Sequence, residues 1–328
     1  MVTDTETKEE NRHRGKVVAV VGPTASGKTA LAVALAKHFA GEVISCDSMQ
    51  LYRDMDIGTA KPTKEEMNGV PHHLLDILAP DEPFSCAEYA ALAAKTADGL
   101  LARGVLPIFC GGTGLYLDGV LRGGNSYEKT ETDADYRASL EALAQREGAG
   151  AVHALLAAVD PAAAEATHPN NVKRVIRALE IYHTTGLTKT ELDRRSCEAP
   201  PRYDALILGI RFPDAEVLYG RIDARVDEMM RLGLCEECRR LWEAGVFERS
   251  KTAAQAIGYK ELFPYLRGEA SLESCVDTLK QATHHYAKRQ MTWFRAHGDV
   301  TWLDRAADTT AAALTEQAVA TVRAFLEK

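Results

Sequence analysis

Gly22-Pro23-Thr24-Ala25-Ser26-Gly27-Lys28-Thr29 is the stretch that decides the fold of this chain. It follows an apolar run, residues 17–21, and opens an alanine- and leucine-rich segment, residues 30–40. A strand, a glycine-containing turn and a helix form the context in which the spacing G-x-x-x-x-G-K-[ST] makes a P-loop. Backbone N–H groups of such a turn converge, and the helix N-terminus adds its positive dipole end. The stretch therefore predicts a site for a diphosphate or a triphosphate, and the loop alone leaves open which.

Two side chains of this loop carry specific chemistry. Lys28 is expected to hold terminal phosphate oxygens, and the Thr29 hydroxyl is expected to ligate Mg²⁺. The alternative is a glycine turn without a ligand, but the glycines, Lys28 and Thr29 all agree with the strand–turn–helix context. We therefore predict that Gly22 through Thr29 bind phosphate, with Mg²⁺ as cofactor.

Length and composition describe an ordinary globular chain. Its 328 residues allow one large domain and a smaller one, and 46% of them are hydrophobic and 26% charged. No apolar run approaches the ~20 residues of a membrane span. Residues 1–14 are polar and lack the apolar core of a signal peptide, so we expect a disordered lead-in. Seven cysteines within periodic segments favour reduced thiols and a cytoplasmic location, without membrane contact.

Charge limits the possible partners. A net charge of −8 argues against indiscriminate nucleic-acid binding, which normally depends on a broadly basic surface. It does not exclude a basic groove on an acidic body, so the distribution of Lys and Arg decides.

Three further apolar runs, residues 42–46, 105–109 and 205–210, predict strands, and residues 300–303 a last one. Helical periodicity between them indicates an α/β fold, a P-loop NTPase-like doubly wound parallel sheet. Ligands gather at the carboxyl ends of such strands. Asp47 directly follows the second strand and is expected near the phosphates, although a turn-capping role stays open. The glycine-rich turn Cys110-Gly111-Gly112-Thr113-Gly114-Leu115-Tyr116 follows the third strand and offers a second anion-approach point.

Composition shifts after Leu121 and indicates an insertion. Helical segments at 134–146, 151–158 and 171–184 are separated by proline turns. We predict an all-helical insertion domain at 126–195 within an α/β core at 15–125 and 196–328, the latter including C-terminal helices.

Two helices concentrate positive charge. Lys173, Arg174 and Arg177 form a basic edge on the helix of the insertion. Within a long helix from 271 to 297, four more groups fall within about a quarter-turn arc. These are Lys280, His284, Lys288 and Arg295. A solvated charged face and a nucleic-acid contact both remain open for this second stripe.

Two motifs that suggest metal have simpler explanations. His72 and His73 are adjacent, but no third ligand has a suitable spacing, which favours loop or core histidines. Cys235 and Cys238 form C-x-x-C without a second pair, on one predicted helix face, which argues against zinc or redox use.

An ordered set of motifs resembles a known family. Besides the P-loop and the 110–116 turn it comprises Ser45-Cys46-Asp47-Ser48, Gly58-Thr59-Ala60-Lys61-Pro62, Ala256-Ile257-Gly258-Tyr259-Lys260-Glu261-Leu262 and Tyr286-Ala287-Lys288-Arg289-Gln290-Met291-Thr292-Trp293-Phe294-Arg295. From about residue 16 to 304 the chain looks like a bacterial tRNA dimethylallyltransferase. The single pieces are weak signals, but their ordered combination is specific.

The resemblance implies transfer of a dimethylallyl group from its diphosphate to N6 of the adenosine just 3′ of the anticodon, with the P-loop holding the prenyl diphosphate. By motif position Asp47 matches the general base and Thr113 the threonine beside the reacting centre. Arg221 matches a diphosphate-binding arginine. Residues matching tRNA contacts are Asp47, Ser48, Met49, Gln50, Thr113, Arg137, Lys173, Arg174 and Arg177. The partners implied are the tRNA anticodon stem-loop and dimethylallyl diphosphate, and we expect a monomer.

The chain also departs from the family pattern. His284 and His285 stand where arginine is usual, which predicts weaker or pH-dependent local affinity for tRNA. Lys173 replaces a common glutamine, and the zinc-finger extension of eukaryotic relatives is absent from this sequence. Two rival functions are a P-loop kinase for a small metabolite or nucleotide, which would bind ATP and make ADP, and a non-catalytic RNA binder switched by nucleotide.

Overall fold

A computed structural model of the chain describes residues 14–122, 133–198 and 200–328. The predicted lead-in therefore lies outside the described residues except for Arg14, and so does the start of the predicted insertion, 126–132. The chain divides into two compact units. The first comprises residues up to Phe84, Ala91–Val120 and Tyr203–Lys328, and the second comprises Ser85–Ala90 and Leu121–Arg202.

A six-stranded parallel sheet forms the centre of the first unit, with strand order β3-β2-β4-β1-β5-β6. The strands are β1 Lys16–Val21, β2 Gly41–Ser45, β3 His72–His73, β4 Leu106–Gly111, β5 Asp204–Arg211 and β6 Val300–Asp304. The helices along the chain are α1 Lys28–Phe39, α2 Lys64–Met67, α3 Cys86–Ala102, α4 Gly114–Arg122, α5 Ala134–Glu147, α6 Ala149–Val159, α7 Pro161–Glu165, α8 Val172–Thr185, α9 Lys189–Glu198, α10 Ala215–Arg231, α11 Leu234–Glu243, α12 Val246–Arg249, α13 Phe263–Leu266, α14 Leu272–Arg295 and α15 Ala311–Leu326.

β1 is central because its side chains are apolar on both faces. Val17, Val18, Ala19 and Val20 are all fully buried, as a strand covered by helices on both sides requires. α1 packs its alanine and leucine face, including Leu31 and Leu35, into the same core. The predicted α/β fold class, a parallel sheet surrounded by helices, is confirmed.

The strand register aligns the carboxyl ends of three strands. Val20 of β1 lies opposite Cys110 of β4, and Cys110 also lies opposite Ser45 of β2. The segments that follow these strands therefore leave the sheet at the same level. This edge is where ligands of open α/β sheets bind.

The described part of the second unit contains helices and no strand. Its core forms where α5, α6, α7 and α8 meet, around fully buried Val152, Leu156 and Val175. Asp160 precedes Pro161 and caps α7 by accepting the Ala163 N–H. Pro161 at the first helical position explains why a helix begins there.

The elements that were missed from the sequence include β3 and α9. His72 and His73 are not loop residues but form β3, an edge strand paired with β2. Two residues are too few for a periodic signal. α9 was not predicted because its sequence, KTELDRRSCE, is polar almost throughout. Ion pairs one turn apart support this helix instead, with Arg194 bound to both Glu191 and Glu198.

Candidate active site

The P-loop joins β1 to α1 through a left-handed glycine. Gly27 has φ of 91° and is the N-cap of α1. Side chains rarely adopt such a φ, so the position favours glycine, and a Cβ atom there would also displace Nη1 of Arg305, which would lie 2.4 Å away. The first N–H groups of α1, including those of Lys28 and Thr29, have no intrahelical acceptor because of helix geometry. They are available to an anion.

Three cations lie on carbonyl oxygens of the loop. Lys28 Nζ donates to Pro23 O at 2.7 Å, Arg221 Nε to Ala25 O at 2.9 Å, and Arg305 Nη1 to Ser26 O at 2.7 Å. The Ser26 hydroxyl is buried and has no hydrogen-bond partner among the described residues. A buried unpaired hydroxyl in a phosphate-type loop is a donor ready for a ligand.

A cavity of about 730 Å³ opens against this loop in the first unit. Of the predicted site residues it is lined by Thr24, Ala25, Gly27, Lys28, Thr29, Asp47, Ser48, Met49 and Gln50. One wall is apolar and comes from α10, where Ile222, Val226 and Met229 follow one another at helical spacing. The P-loop, which carries Lys28, and the apolar wall of α10 thus line the same cavity.

Asp47 and Thr113 meet where β2 and β4 end. Asp47 Oδ1 accepts the Met49 N–H at 3.0 Å, a turn of the kind expected for a capping aspartate, and Asp47 also lines the cavity. Thr113 Oγ1 accepts the Ser48 N–H at 3.2 Å, and the Thr113 N–H donates to Cys46 O at 3.2 Å. The segment after β2 and the turn after β4 are therefore hydrogen-bonded to each other. Asp47 both stabilises its local turn and lines the cavity.

Burial shifts the proton affinity of the charged groups in this cavity. Burial raises the pKa of Asp47, and the nearby charges of Lys28 and Arg225 partly oppose that rise. Burial lowers the pKa of Lys28 to about 8, and Asp47 partly opposes the change. A carboxyl with a raised pKa beside a loop of cations is typical of sites that move protons.

Cations and an amide that the sequence reasoning did not assign also belong to the site. Arg225, one helical turn after Arg221, lines the cavity, and burial lowers its pKa. Arg289 and Gln290 line it too, and Arg305 contacts the loop. The i, i+4 spacing from Arg221 could have pointed to Arg225. Nothing near Arg305 marks it in the sequence.

The stripe on α14 is partly neutralised. Lys280 Nζ lies 2.6 Å from Asp227, and His284 Nε2 lies 2.8 Å from Asp223, both on α10. His284 also stacks on Tyr219, with ring centroids 4.4 Å apart. Lys288 and Arg295 are exposed. Contact of this stripe with tRNA stays a prediction, with two of its four groups already engaged.

In the second unit, Arg137 and one residue of the basic edge, Arg177, lie against a buried carboxylate. Arg137 donates to both oxygens of Glu180, at 2.7 and 2.5 Å, and Arg177 lies 3.7 Å from it. Glu180 is fully buried, so these arginines compensate its charge. Lys173 and Arg174 are exposed.

Among the described residues, Mg²⁺ at this cavity would have few protein ligands. Across residues 14–122, 133–198 and 200–328 no group of three or more His, Cys, Asp or Glu could hold a metal ion. Mg²⁺ commonly uses one or two protein oxygens plus substrate phosphates. The Thr29 hydroxyl, which hydrogen-bonds Cys110, lines the cavity and suits that arrangement. Cys235 and Cys238 are buried in α11, where burial raises the pKa of Cys238 to about 12.

A P-loop at the carboxyl edge of a parallel sheet, with a partly apolar cavity against it, defines the class: an α/β protein of the P-loop NTPase-like fold. Comparison with family models identifies the family within this class. The IPP transferase family matches residues 50–297, and the isopentenyl transferase family matches residues 15–79. The chain belongs to the IPP transferase family of prenyltransferases.

Individual relatives agree over most of their length. The chain is 50% identical over 289 residues to a tRNA dimethylallyltransferase of Halalkalibacterium halodurans, covering 88% of this chain and 91% of the relative. It is 50% identical over 297 residues to that of Bacillus subtilis, covering 90% and 92%. The crystal structure of the full-length tRNA isopentenylpyrophosphate transferase from Bacillus halodurans matches with a TM-score of 0.71 and 46% identity, covering 96% of this chain and 97% of that one.

A eukaryotic dimethylallyltransferase captured in crystallographic snapshots acting on tRNA matches with a TM-score of 0.81 and 31% identity, covering 95% of this chain and 80% of that one. None of the described helices is both long and apolar enough to cross a membrane.

Proposed function

We propose that the chain transfers a dimethylallyl group from dimethylallyl diphosphate to N6 of the adenosine 3′-adjacent to the anticodon in tRNA, with release of diphosphate. The observation that carries the proposal is the combination within one cavity of the first unit. The P-loop, the apolar wall of α10 and the carboxylate of Asp47 all line it. An apolar wall beside a phosphate-binding loop suits a branched hydrocarbon chain attached to a diphosphate.

The donor's diphosphate binds at the N-terminus of α1. Loop N–H groups, Lys28 and Arg225 supply positive charge for the leaving group, and Arg221 holds the loop from outside by its bond to Ala25 O. The Thr29 hydroxyl would hold Mg²⁺ together with phosphate oxygens of the donor, and the ion would supply further charge neutralisation for the leaving group. The remaining predicted loop residues, Gly22, Pro23, Ser26 and Gly27, shape this cradle.

The acceptor amine approaches from the Asp47 side. An exocyclic adenine amine is a weak nucleophile because its lone pair is delocalised into the ring. Asp47 accepts its N–H and takes the proton while the new C–N bond forms and the allylic C–O bond breaks. Thr113, bonded to the Ser48 N–H, fixes the segment that presents Asp47. The target base has to be extruded from the anticodon loop to reach the cavity.

Contacts to tRNA phosphates come from exposed cations. We assign this role to Lys173 and Arg174, which are exposed, and to Arg137 and Arg177, which share Glu180. On the first unit, Ser48, Met49 and Gln50 contact the tRNA beside the base, and Lys280, His284, Lys288 and Arg295 contact its backbone. We propose a cytoplasmic location because the proposed substrate is tRNA. We also propose that the protein is a monomer.

A product assay tests this function. Purified protein, Mg²⁺ and unmodified tRNA are incubated with dimethylallyl diphosphate or with ATP, and the tRNA nucleosides are analysed by mass spectrometry. Dimethylallyl-adenosine should form with the prenyl donor alone and disappear when guanosine replaces the target adenosine. ATP turnover without tRNA, combined with no prenylated nucleoside, would identify a kinase. RNA binding without any product would identify a binding protein.

A further inference from the structure

Gln290 on α14 joins the P-loop to the glycine turn after β4. Its Oε1 accepts the Thr24 N–H at 2.9 Å, and its Nε2 donates to Gly112 O at 3.1 Å. The side chain is 5% exposed. Each end of the amide faces the partner type that it needs, an N–H at the oxygen and a carbonyl at the nitrogen, so the orientation of the amide is fixed by its neighbours.

The surrounding residues are shaped for this amide. A Cβ atom on Gly112 would lie 1.9 Å from Gln290 Nε2, so any other residue at position 112 would displace it. The Tyr286 hydroxyl hydrogen-bonds both Gln290 and Thr113. Gln290 is thus held from three sides, by the P-loop, by the turn after β4 and by its own helix.

The bond to Thr24 removes one donor from the anion site. Thr24 lies near the start of the P-loop, four residues before α1, and lines the cavity. Its N–H is already donated to Gln290 Oε1. The Ser26 N–H is also used, by Pro23 O at 3.3 Å. At the other end, the N–H groups of Lys28 and Thr29 are free of intrahelical acceptors. A phosphate group at the N-terminus of α1 therefore finds free N–H donors. A further phosphate group near Thr24 would find its N–H already bonded to Gln290.

We propose that Gln290 is a specificity-determining residue that limits the P-loop to diphosphates. By occupying the Thr24 N–H it removes the backbone donor that a third phosphate would use, and its buried side chain fills the adjoining space. The inference rests on the proposed function, in which the loop holds a prenyl diphosphate. It answers what the loop sequence leaves open, since Gly22–Thr29 is equally compatible with a triphosphate.

Binding of two inorganic anions tests this directly. Inorganic diphosphate and inorganic tripolyphosphate, each with Mg²⁺, are titrated calorimetrically into wild type, Gln290→Met and Gln281→Met. Gln290→Met retains volume but removes both hydrogen bonds. Gln281 lies on the exposed side of α14, so Gln281→Met makes the same chemical change away from the site. Circular dichroism melting checks folding, and Gln290→Leu serves instead if Gln290→Met does not fold.

We expect wild type and Gln281→Met to bind diphosphate at least as tightly as tripolyphosphate. In Gln290→Met the affinity ratio should move toward tripolyphosphate by about tenfold or more, as expected when one charge-assisted donor becomes available. Gln290→Glu, which still accepts the Thr24 N–H, should not relax the ratio.

An unchanged ratio in Gln290→Met, or parallel weakening of both anions, overturns the inference and leaves a purely structural Gln290. Wild-type protein that binds neither anion would instead overturn the proposed donor site itself, which distinguishes the two failures.

Discussion

Lys28 is the residue on which donor binding depends most directly in the proposed function. Its ammonium group donates to Pro23 O and therefore lies against the P-loop. We expect Lys28→Ala to weaken binding of dimethylallyl diphosphate by about 10- to 100-fold, because one charge-assisted contact worth about 1.5–3 kcal/mol is lost. Calorimetric titration of the donor measures this. Donor affinity within a factor of two of wild type would remove Lys28 from the site.

The lowered pKa of Lys28 predicts a pH effect on the same step. With a pKa of about 8, the amine is charged below pH 8 and loses its proton as pH rises through that value. kcat/KM for the donor, which reports the free enzyme, should therefore fall above pH about 8. Lys28→Arg stays charged throughout this range and should lack the fall. A profile that falls equally in both proteins would place the titrating group elsewhere.

At the scale of elements, α11 holds the loop that borders the cavity. Glu237 is buried, and its two oxygens accept the N–H groups of Asp56, Ile57 and Gly58 at 2.9–3.1 Å. One of them also accepts the Tyr259 hydroxyl at 2.7 Å. The loop in turn takes hydrogen bonds from Gln50 Nε2 at the carbonyls of residues 59 and 60. A single carboxylate thus supports one wall of the site.

We expect Glu237→Gln to lower the free energy of unfolding by about 1–3 kcal/mol, because an amide NH₂ would face backbone N–H groups that lose their acceptor. Urea denaturation measures this. Glu236→Gln changes an exposed neighbour in the same helix and should stay within about 0.5 kcal/mol of wild type. Equal stabilities of the two variants would contradict the support role of Glu237.

The basic edge of α8 makes a separate prediction. Replacing Lys173, Arg174 and Arg177 together by alanine should weaken tRNA binding and flatten the log–log salt slope by about 2–3, with donor affinity nearly unchanged. Replacing Lys189, Arg194 and Arg195 of α9 removes the same charge from cations that are already paired with Asp193 and Glu191. That control should change the slope little. If both triple variants have the wild-type slope, the α8 edge is only a solvated surface.

The elements visible in the sequence are those with strong local signals. β1 and α1 follow from an apolar run, a glycine turn and an alanine-rich helix, and Asp47 and Thr113 follow from their place after strands. Gln290 and Arg305 come from segments far along the chain, and their contacts with the P-loop arise from packing of α14 and from the turn after β6. β3 was too short to recognise, and α9 lacks an apolar face. Long-range packing, which local patterns do not encode, accounts for the residues that were missed.

At the scale of the whole molecule, the strand order brings the candidate site residues together. β4 lies between β1 and β2, so the turn with Thr113 stands between the P-loop and the Asp47 segment. The P-loop and Asp47 thus line one cavity, although they are separated along the chain. The account requires that this edge of the sheet perform the transfer, with Asp47 serving the amine and not the diphosphate.

Single-turnover transfer by Asp47→Asn tests that requirement most directly. The variant keeps the shape of the side chain and its bond to the Met49 N–H but removes charge and basicity. The rate of dimethylallyl-adenosine formation is measured at saturating tRNA and donor, with donor affinity measured in parallel. We predict a rate lower by about 10²–10⁴-fold with nearly unchanged donor affinity. Transfer by Asp47→Asn at close to the wild-type rate would contradict the account and leave Asp47 as a turn cap.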